Sequence, residues 1–146
     1  MYEFLRYCVK DAMTTDPVTV GPDAQLTELE HLFNSHQFNG APVVDENRRL
    51  LGMVTKLDLL KAFAFHAGAI IPHYNEIMKQ PVTSVMVSEP VTVDPELPLS
   101  RLLHKMVELR TKSFPVLKDA QLVGIVARED VLRALQRATA GEVQQP

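Results

Sequence analysis

One internal repeat constrains this sequence more than any other feature. Met13 is matched by Met86, 73 residues later, and the segment PVTV at residues 17–20 returns at residues 90–93. Self-similarity at a fixed offset is the signature of a repeated folding unit, so two copies of one unit are expected. Further matches, the last four at an offset of 72, are Leu26 with Leu99, His31 with His104, Pro42-Val43 with Pro115-Val116, Gly52 with Gly124, Val54 with Val126, Asp58 with Asp130 and Leu60 with Leu132.

The loss of one residue between the copies indicates a turn. It falls at residues 45–49 (DENRR) of the first copy and residues 118–121 (KDAQ) of the second, which are polar stretches between apolar runs. A one-residue change inside a strand would move every side chain to the other face, whereas a turn tolerates it. Both copies therefore predict a β-hairpin at this place.

Each copy predicts the element order β-α-β-β-α. The PVTV segments are predicted as first strands, and short β-branched runs predict the two hairpin strands. Apolar residues three and four apart predict an amphipathic helix before the hairpin, and a second helix is expected to begin near Lys56 and near Arg128. The predicted apolar helix faces are Leu26, Leu29, Leu32 and Phe33 in the first copy and Leu99, Leu102, Leu103, Met106 and Val107 in the second.

These elements predict an α/β fold with a first repeat at residues 9–66, a linker at 67–81 and a second repeat at 82–137. A unit of roughly 55 residues buries little surface alone. The two β-α-β-β-α repeats are therefore expected to pack as a pseudo-twofold pair with a cleft between them. Gly68 and Pro72 interrupt any long helix in the linker, so a bend and a short second helix are expected there.

Composition argues against several classes of protein. The 146 residues carry a net charge of −3, without the basic excess of a nucleic-acid-binding surface. The lone Cys8 has no partner for an intrachain disulfide, which suits a reducing cytoplasm. Glu3 and Arg6 interrupt the apolar N-terminal residues, so no signal peptide is expected. The longest apolar stretch, residues 62–71, is shorter than the roughly 20 residues that span a membrane.

Two ordered sets of motifs make the repeat recognisable. The first set is MTTDPVTV at 13–20, GAPVVD at 40–45 and LLGMVTKLDLL at 50–60. The second set is MVSEPVTV at 86–93, SFPVLK at 113–118 and LVGIVAREDVL at 122–132. Together they resemble the CBS domain, named after cystathionine β-synthase, and the chain resembles a free-standing tandem CBS pair. The resemblance implies a regulatory module that binds AMP, ADP, ATP, S-adenosylmethionine or a related ligand between its repeats.

Thr55 and Asp58, in the tetrapeptide TKLD, have two compatible interpretations. A threonine before a helix, with an acid three residues on, resembles a capping box, and this structural role needs no ligand. The same place also suits a ligand, because N–H groups at a helix N-terminus favour anions and the carboxylate can accept hydrogen bonds from ribose hydroxyls. In the second copy Ala127 lacks the hydroxyl while Asp130 persists, so a weaker second site is expected there.

The resemblance implies that each site combines residues of both repeats. The stronger site would consist of Thr55, Asp58, Met53, Val87, Glu89, Val91, Thr111 and Lys112. The weaker site would consist of Asp130, Arg128, Thr14, Asp16, Val18, Phe38 and Asn39. Lys112 would face a phosphate of the ligand and attract it. The negatively charged Glu89 would repel the same phosphate. A solvated surface position is the alternative for Lys112 and Arg128.

Catalysis, a cofactor and a metal are not expected. The sequence shows no nucleophile set, acid–base pair or Gly-rich phosphate loop, and His66, His73 and Glu76 lack the spacing of a metal site. A homodimer and an unknown regulated protein are the expected partners. The alternative function is a ligand-independent dimerisation or protein-interaction module, with Tyr2, Phe4, Leu5 and Tyr7 in its contact surface.

Overall fold

The computed structural model describes residues 2–36, 39–64 and 73–143, with side chains up to residue 140. The chain divides into two compact units. The middle unit is Val18–Pro90, and the terminal unit combines Met1–Pro17 with Val91–Pro146. Each unit contains one antiparallel β-hairpin with helices around it. The α/β class predicted from the repeat is therefore confirmed.

The middle unit is built around a two-stranded sheet. Strand β2 (Gly40–Val44) pairs with β3 (Leu50–Thr55) in antiparallel register. Asp45 closes the turn between them, because its Oδ1 accepts the N–H of Asn47 at 2.8 Å and that of Arg49 at 3.0 Å. An aspartate bonded to the backbone two residues on is a common turn device. The first predicted hairpin is confirmed.

Three helices surround this hairpin. They are α2 (Leu26–Ser35), α3 (Lys56–Ala64) and α4 (Tyr74–Met78), and a short 3-10 turn follows at Val82–Ser84. The face of α2 predicted to be apolar packs into the core of the unit, since helical spacing places its leucines on one side. The buried core consists of Val20, Leu26, Leu29, Phe33, Ala41, Val43, Val54, Ala62, Ile77, Met78 and Val82.

The terminal unit contains a three-stranded antiparallel sheet in the order β1-β5-β4. Its strands are β1 (Thr14–Thr15), β4 (Ser113–Lys118) and β5 (Gln121–Ala127). Asp119 and Ala120 form the turn from β4 to β5, with φ angles of 52° and 66°. Positive φ at both residues of a two-residue turn matches the twist of the strands that it joins. The second predicted hairpin is also confirmed.

The helices of the terminal unit come from both ends of the chain. A 3-10 turn at Phe4–Arg6 and α1 (Val9–Ala12) precede β1, while α5 (Leu99–Leu109) and α6 (Arg128–Val143) flank the hairpin. These helices bury their apolar sides against the sheet. The buried core consists of Phe4, Val9, Val93, Leu99, Leu102, Met106, Phe114, Val116, Val126, Val131, Ala134 and Ala138.

The PVTV segments are not strands, contrary to the sequence-based expectation. Each contributes a single parallel bridge, Val20 to Val43 and Val93 to Val116. In the first copy Pro17 has no N–H to donate, and a strand needs a donor at every second residue. The PVTV prediction was therefore wrong in extent, although the last valine of each segment does pair with its hairpin.

Gly52 and Gly124 mark the places where another segment lies directly on each hairpin. Met53 and Val87 exchange backbone hydrogen bonds of 2.9 and 2.8 Å, and a Cβ at Gly52 would lie 2.6 Å from the Val87 carbonyl oxygen. A Cβ at Gly124 would lie 2.8 Å from the Thr14 carbonyl oxygen. So close a backbone approach requires glycine. The residues before each PVTV segment thus pack on the hairpin of the other sequence repeat.

The exposure of two residues is the opposite of what the sequence predicted. Val107, assigned to the apolar face of α5, is 71% exposed, and Phe4, assigned to a contact surface, is 2% exposed. Phe4 forms an edge-to-face contact with Tyr7 and fills the terminal core, because a large aromatic side chain contributes more by burial than by exposure.

The predicted linker is described only in part. The short helix expected there is present as α4, while residues 65–72, which include His66, Gly68 and Pro72, lie outside the described residues. The ring of Tyr74 stacks on that of Phe63, with 5.6 Å between the ring centroids. The Tyr74 hydroxyl donates a hydrogen bond to Glu30, and this bond raises the pKa of Tyr74. Within the described ranges, no helix combines the length and apolar character needed to cross a membrane.

Candidate functional site

Thr55 and Asp58 form a capping box at the start of α3. The Asp58 N–H donates to the Thr55 Oγ1 at 3.2 Å, and the Thr55 N–H donates to the Asp58 Oδ2 at 2.8 Å. The Thr55 hydroxyl also donates to the same Oδ2 at 2.9 Å. Reciprocal bonds of this kind satisfy backbone N–H groups that a helix start leaves unpaired. The structural role predicted for the tetrapeptide is therefore present.

The second oxygen of Asp58 is differently placed. Asp58 is only 4% exposed, and its Oδ1 lies 3.9 Å from the Nζ of Lys61, beyond hydrogen-bond distance. Among the described residues, no buried side-chain nitrogen or oxygen atom lacks a hydrogen-bond partner. Because no hydrogen-bond donor among these residues contacts Oδ1, this oxygen is at least partly exposed. A carboxylate offers about four acceptor positions, so Asp58 retains acceptor capacity after capping α3.

The hairpin of the middle unit leads directly into α3, because β3 ends at Thr55. Met53 is buried, whereas Val87, its bridge partner, is 49% exposed. The N–H of Lys56, the first residue of α3, donates to the Asn39 carbonyl oxygen at 3.2 Å. Glu89 is also exposed in this unit. Val87 thus presents an exposed apolar side chain on the strand that leads into α3.

The start of α6 repeats this arrangement with two changes. The Ala127 N–H donates to the Asp130 Oδ2 at 2.8 Å, as the Thr55 N–H does to Asp58. Ala127 has no hydroxyl to add a second bond. The Asp130 Oδ1 is instead paired with the guanidinium of Arg133, one turn along the helix. Asp130 thus caps the start of α6, and both of its oxygens have donors.

The segment before β4 lies beside this second helix start. The Arg128 N–H donates to the Lys112 carbonyl oxygen at 3.0 Å, and the Arg128 Nε donates to the Thr111 carbonyl oxygen at 3.2 Å. On the other side of β5, Thr14 lies opposite Ile125 in the antiparallel register. Arg128 therefore has a structural contact, in addition to any role toward a ligand.

The structure groups the predicted site residues by unit. The middle unit contains Thr55, Asp58, Met53, Val87 and Glu89 of the stronger predicted site, and also Val18 and Asn39 of the weaker one. The terminal unit contains Asp130, Arg128, Thr14 and Asp16 of the weaker site, and also Val91, Thr111 and Lys112 of the stronger one. Phe38 lies outside the described residues.

Lys61 and Arg133 are not among the site residues predicted from the sequence. Each lies three residues after the aspartate of its helix, a spacing that places two side chains on one face. That spacing is visible in the sequence as Asp58 with Lys61 and Asp130 with Arg133. The signal was present, but the sequence does not reveal which of the two cations contacts its carboxylate.

Comparison with protein families gives one match. The model of the CBS domain matches residues 9–65 and again residues 82–137. Among curated proteins, the CBS domain-containing protein YhcV of Bacillus subtilis is 32% identical over 124 residues, which cover 84% of this chain and 81% of that protein. Some other curated relatives are enzymes, such as L-aspartate semialdehyde sulfurtransferase of Methanocaldococcus jannaschii and inosine-5′-monophosphate dehydrogenase of Korarchaeum cryptofilum, and the chain spans 22% of the length of each of these two.

Two solved structures of similar fold are complexes with adenosine ligands. The structure of CBSX2 in complex with AMP has a TM-score of 0.79 and 26% identity, over 91% of this chain and 98% of that chain. The CBS domain pair of protein MJ0100, in complex with 5′-methylthioadenosine and S-adenosyl-L-methionine, has a TM-score of 0.73 and 27% identity, over 90% of this chain and 97% of that chain.

Proposed function

Because this chain belongs to the CBS domain family, we propose that it is a regulatory module that binds an adenosine-containing ligand at the start of α3. The candidates are AMP, ADP, ATP and S-adenosylmethionine. Two similar chains bind ligands of this class, AMP in one, and 5′-methylthioadenosine and S-adenosyl-L-methionine in the other. What these ligands share is the adenosine group, so the proposal is for a site that recognises adenosine.

The observation that carries the proposal is the Oδ1 of Asp58. It is a partly exposed acceptor on a largely buried carboxylate, and none of the described residues donates a hydrogen bond to it. A ribose presents neighbouring hydroxyls that donate to such a group, and bonds to a charged acceptor are stronger than neutral ones. The capping bonds from Thr55 hold Oδ2 and thereby orient Oδ1.

The surrounding residues supply the remaining contacts of the proposed site. The exposed Val87, whose backbone bridges that of the buried Met53, is suited to an apolar ring face. Lys61, whose side chain is 49% exposed, adds a positive charge that would attract a phosphate. The roles of Glu89, Val91, Thr111 and Lys112 in binding remain predictions from the resemblance.

Regulation requires more than binding. A ligand shifts a conformational equilibrium only by as much as its affinity differs between the two states. We therefore propose that the bound and unbound forms present different surfaces to a regulated partner protein, and that the module itself carries out no chemical step.

Thermal unfolding with a nucleotide panel tests the proposal. The ligands are AMP, ADP, ATP and S-adenosylmethionine, with GMP as a base control. A ligand at 100 times its Kd stabilises the folded state by about 2.7 kcal/mol, which is readily measured. Asp58→Asn should weaken binding by at least about tenfold, because it removes a charged acceptor.

Asp45→Asn is the matched control. It makes the same chemical change in the same unit, but in a turn where asparagine serves as well as aspartate, so the ligand-induced shift should be retained. The absence of a shift with every ligand would contradict the proposal. So would a shift that survives Asp58→Asn undiminished.

A groove on the terminal unit supports a second candidate function, dimerisation without ligand. The groove has a volume of about 270 Å³ between α5 and α6, with Val107 71% and Leu132 57% exposed. Its remaining lining is Leu103, Met106, Arg110, Arg128, Val131 and Leu135. Sedimentation of the wild type and of Leu132→Glu, with and without AMP, separates the two functions. A dimer that forms without AMP and is lost in the variant would favour this candidate.

A further inference from the structure

The carboxylate of Asp130 is occupied by donors from its own helix start. Asp130 is 5% exposed, its Oδ2 accepts the Ala127 N–H at 2.8 Å, and its Oδ1 is paired with the guanidinium of Arg133. Each oxygen therefore has a donor. A hydrogen bond between a guanidinium and a carboxylate is among the stronger polar contacts in proteins, so any further donor must compete with it.

Lys61 occupies the equivalent position in the other copy but leaves its carboxylate accessible. Its Nζ stays 3.9 Å from the Asp58 Oδ1. The lysine ammonium is a mobile, strongly hydrated point charge, whereas the planar guanidinium presents a fixed fork of donors. The Thr55 hydroxyl additionally holds the Asp58 Oδ2 at 2.9 Å. Two residues, the one before the helix and the one three positions after the aspartate, thus distinguish the two carboxylates.

We propose that Arg133 and Ala127 together close the Asp130 carboxylate to ligands, so that each chain binds one adenosine-containing ligand, at Asp58. This inference rests on the function proposed above. A ribose hydroxyl that approached Asp130 would have to displace the guanidinium of Arg133. It would also meet a carboxylate that no threonine hydroxyl holds in place. Arg133 and Ala127 are positioning residues, since both act through Asp130.

The exposure of Arg133 determines how the inference should be tested. Its side chain is 65% exposed, and exposed ion pairs contribute little. Arg133→Lys alone should therefore change the affinity of Asp130 for a ligand by less than about tenfold. Ala127→Thr should restore the capping hydroxyl found in the first copy. The two substitutions together give the second copy the same residues as the first at both positions, which makes the double variant the decisive one.

Calorimetric titration of the full chain with AMP, and in parallel with S-adenosylmethionine, tests the inference. We expect the wild type to bind one molecule per chain, Asp130→Asn to bind one as well, and Asp58→Asn to bind at least about tenfold more weakly. Adding Ala127→Thr and Arg133→Lys to Asp58→Asn should restore binding of one molecule per chain. Thermal unfolding of each variant without ligand verifies that it is folded.

Each other outcome has a definite meaning. Two molecules per wild-type chain, one of them lost in Asp130→Asn, would overturn the inference and leave the proposed function intact. A folded triple variant that binds neither probe would also overturn it, because removing both obstacles would not have opened Asp130. A wild type that binds neither probe would overturn the proposed function, and this inference with it.

Discussion

The hairpin and following helix of the middle unit and those of the terminal unit share the same local contacts at the glycine and at the helix start, and they differ at two positions around the aspartate. Gly52 and Gly124 both lie under a carbonyl oxygen of another segment. Asp58 and Asp130 both accept the N–H of the residue before their helix at 2.8 Å. The copies differ at Thr55, which corresponds to Ala127. They also differ at the cation three residues after the aspartate, which is Lys61 in one copy and Arg133 in the other.

What is shared and what differs separate the needs of the backbone from those of a ligand. The glycine contact and the aspartate–amide bond satisfy steric and hydrogen-bonding requirements that any copy of this fold must meet. The fold does not require the threonine hydroxyl, since α6 begins without it, and it does not require a particular cation after the aspartate. The four predictions below test this division, beginning with the features held in common.

Gly52→Ala and Gly124→Ala should be the most destabilising of these changes, and by similar amounts. The new Cβ would lie 2.6 Å from a carbonyl oxygen at Gly52 and 2.8 Å from one at Gly124, so the neighbouring backbone would have to move. Overpacking of this kind costs roughly 1–3 kcal/mol. Denaturant titration of each variant measures the change in the free energy of unfolding.

Gly21→Ala is the control for both, because no atom lies within 4 Å of a Cβ built there. It should leave the free energy of unfolding unchanged within about 0.5 kcal/mol. A large loss at only one of Gly52 and Gly124 would show that the two hairpins do not depend equally on their added segments.

Asp58→Ala and Asp130→Ala should each cost about 1–2 kcal/mol of stability, with Asp58 at the upper end. Both changes leave the N–H of the preceding residue without its acceptor, and Asp58→Ala also removes the acceptor of the Thr55 hydroxyl. Thermal unfolding without ligand measures both. A cost at Asp130 clearly above that at Asp58 would mean that the Arg133 pair contributes more than the threonine bond.

The repeat in the sequence was sufficient to predict the two hairpins, their turns and the helices that follow them. These are local features, and the polar residues at 45–49 and the matching apolar spacings encode them directly. The pairing of Thr14 with Ile125 is not local. Nothing in the PVTV segment or its neighbours specifies a partner more than 100 residues away, so the first strand was misassigned.

The candidate site was predictable to a similar depth. The capping box of Thr55 and Asp58 follows from residue types and spacing alone. The difference between Lys61 and Arg133 does not, because both are cations three residues after an aspartate. Only the geometry shows one at 3.9 Å and the other in direct contact. Sequence thus identified the carboxylates, and the structure distinguished them.

Exchanging the residues before the two helices should have opposite effects on stability. Thr55→Ala removes a hydroxyl that accepts the Asp58 N–H at 3.2 Å, and should cost about 1 kcal/mol. Ala127→Thr should stabilise by about 0.5 kcal/mol or more, because it supplies the hydroxyl that α6 lacks. Chemical denaturation midpoints report both. Destabilisation by Ala127→Thr would indicate that the start of α6 has no space for the hydroxyl.

Removing the two cations should have the smallest effects, and unequal ones. Arg133→Ala breaks a direct pair whose cation is 65% exposed, so its cost should stay below about 1 kcal/mol. Lys61→Ala breaks a contact at 3.9 Å and should cost less. Salt screens exposed charges, so stability measured at low and at high ionic strength should converge for wild type and Arg133→Ala. If Lys61→Ala proves as costly as Arg133→Ala at low salt, the two cations are equivalent in solution, and the distinction between the two aspartates would rest on Thr55 and Ala127 alone.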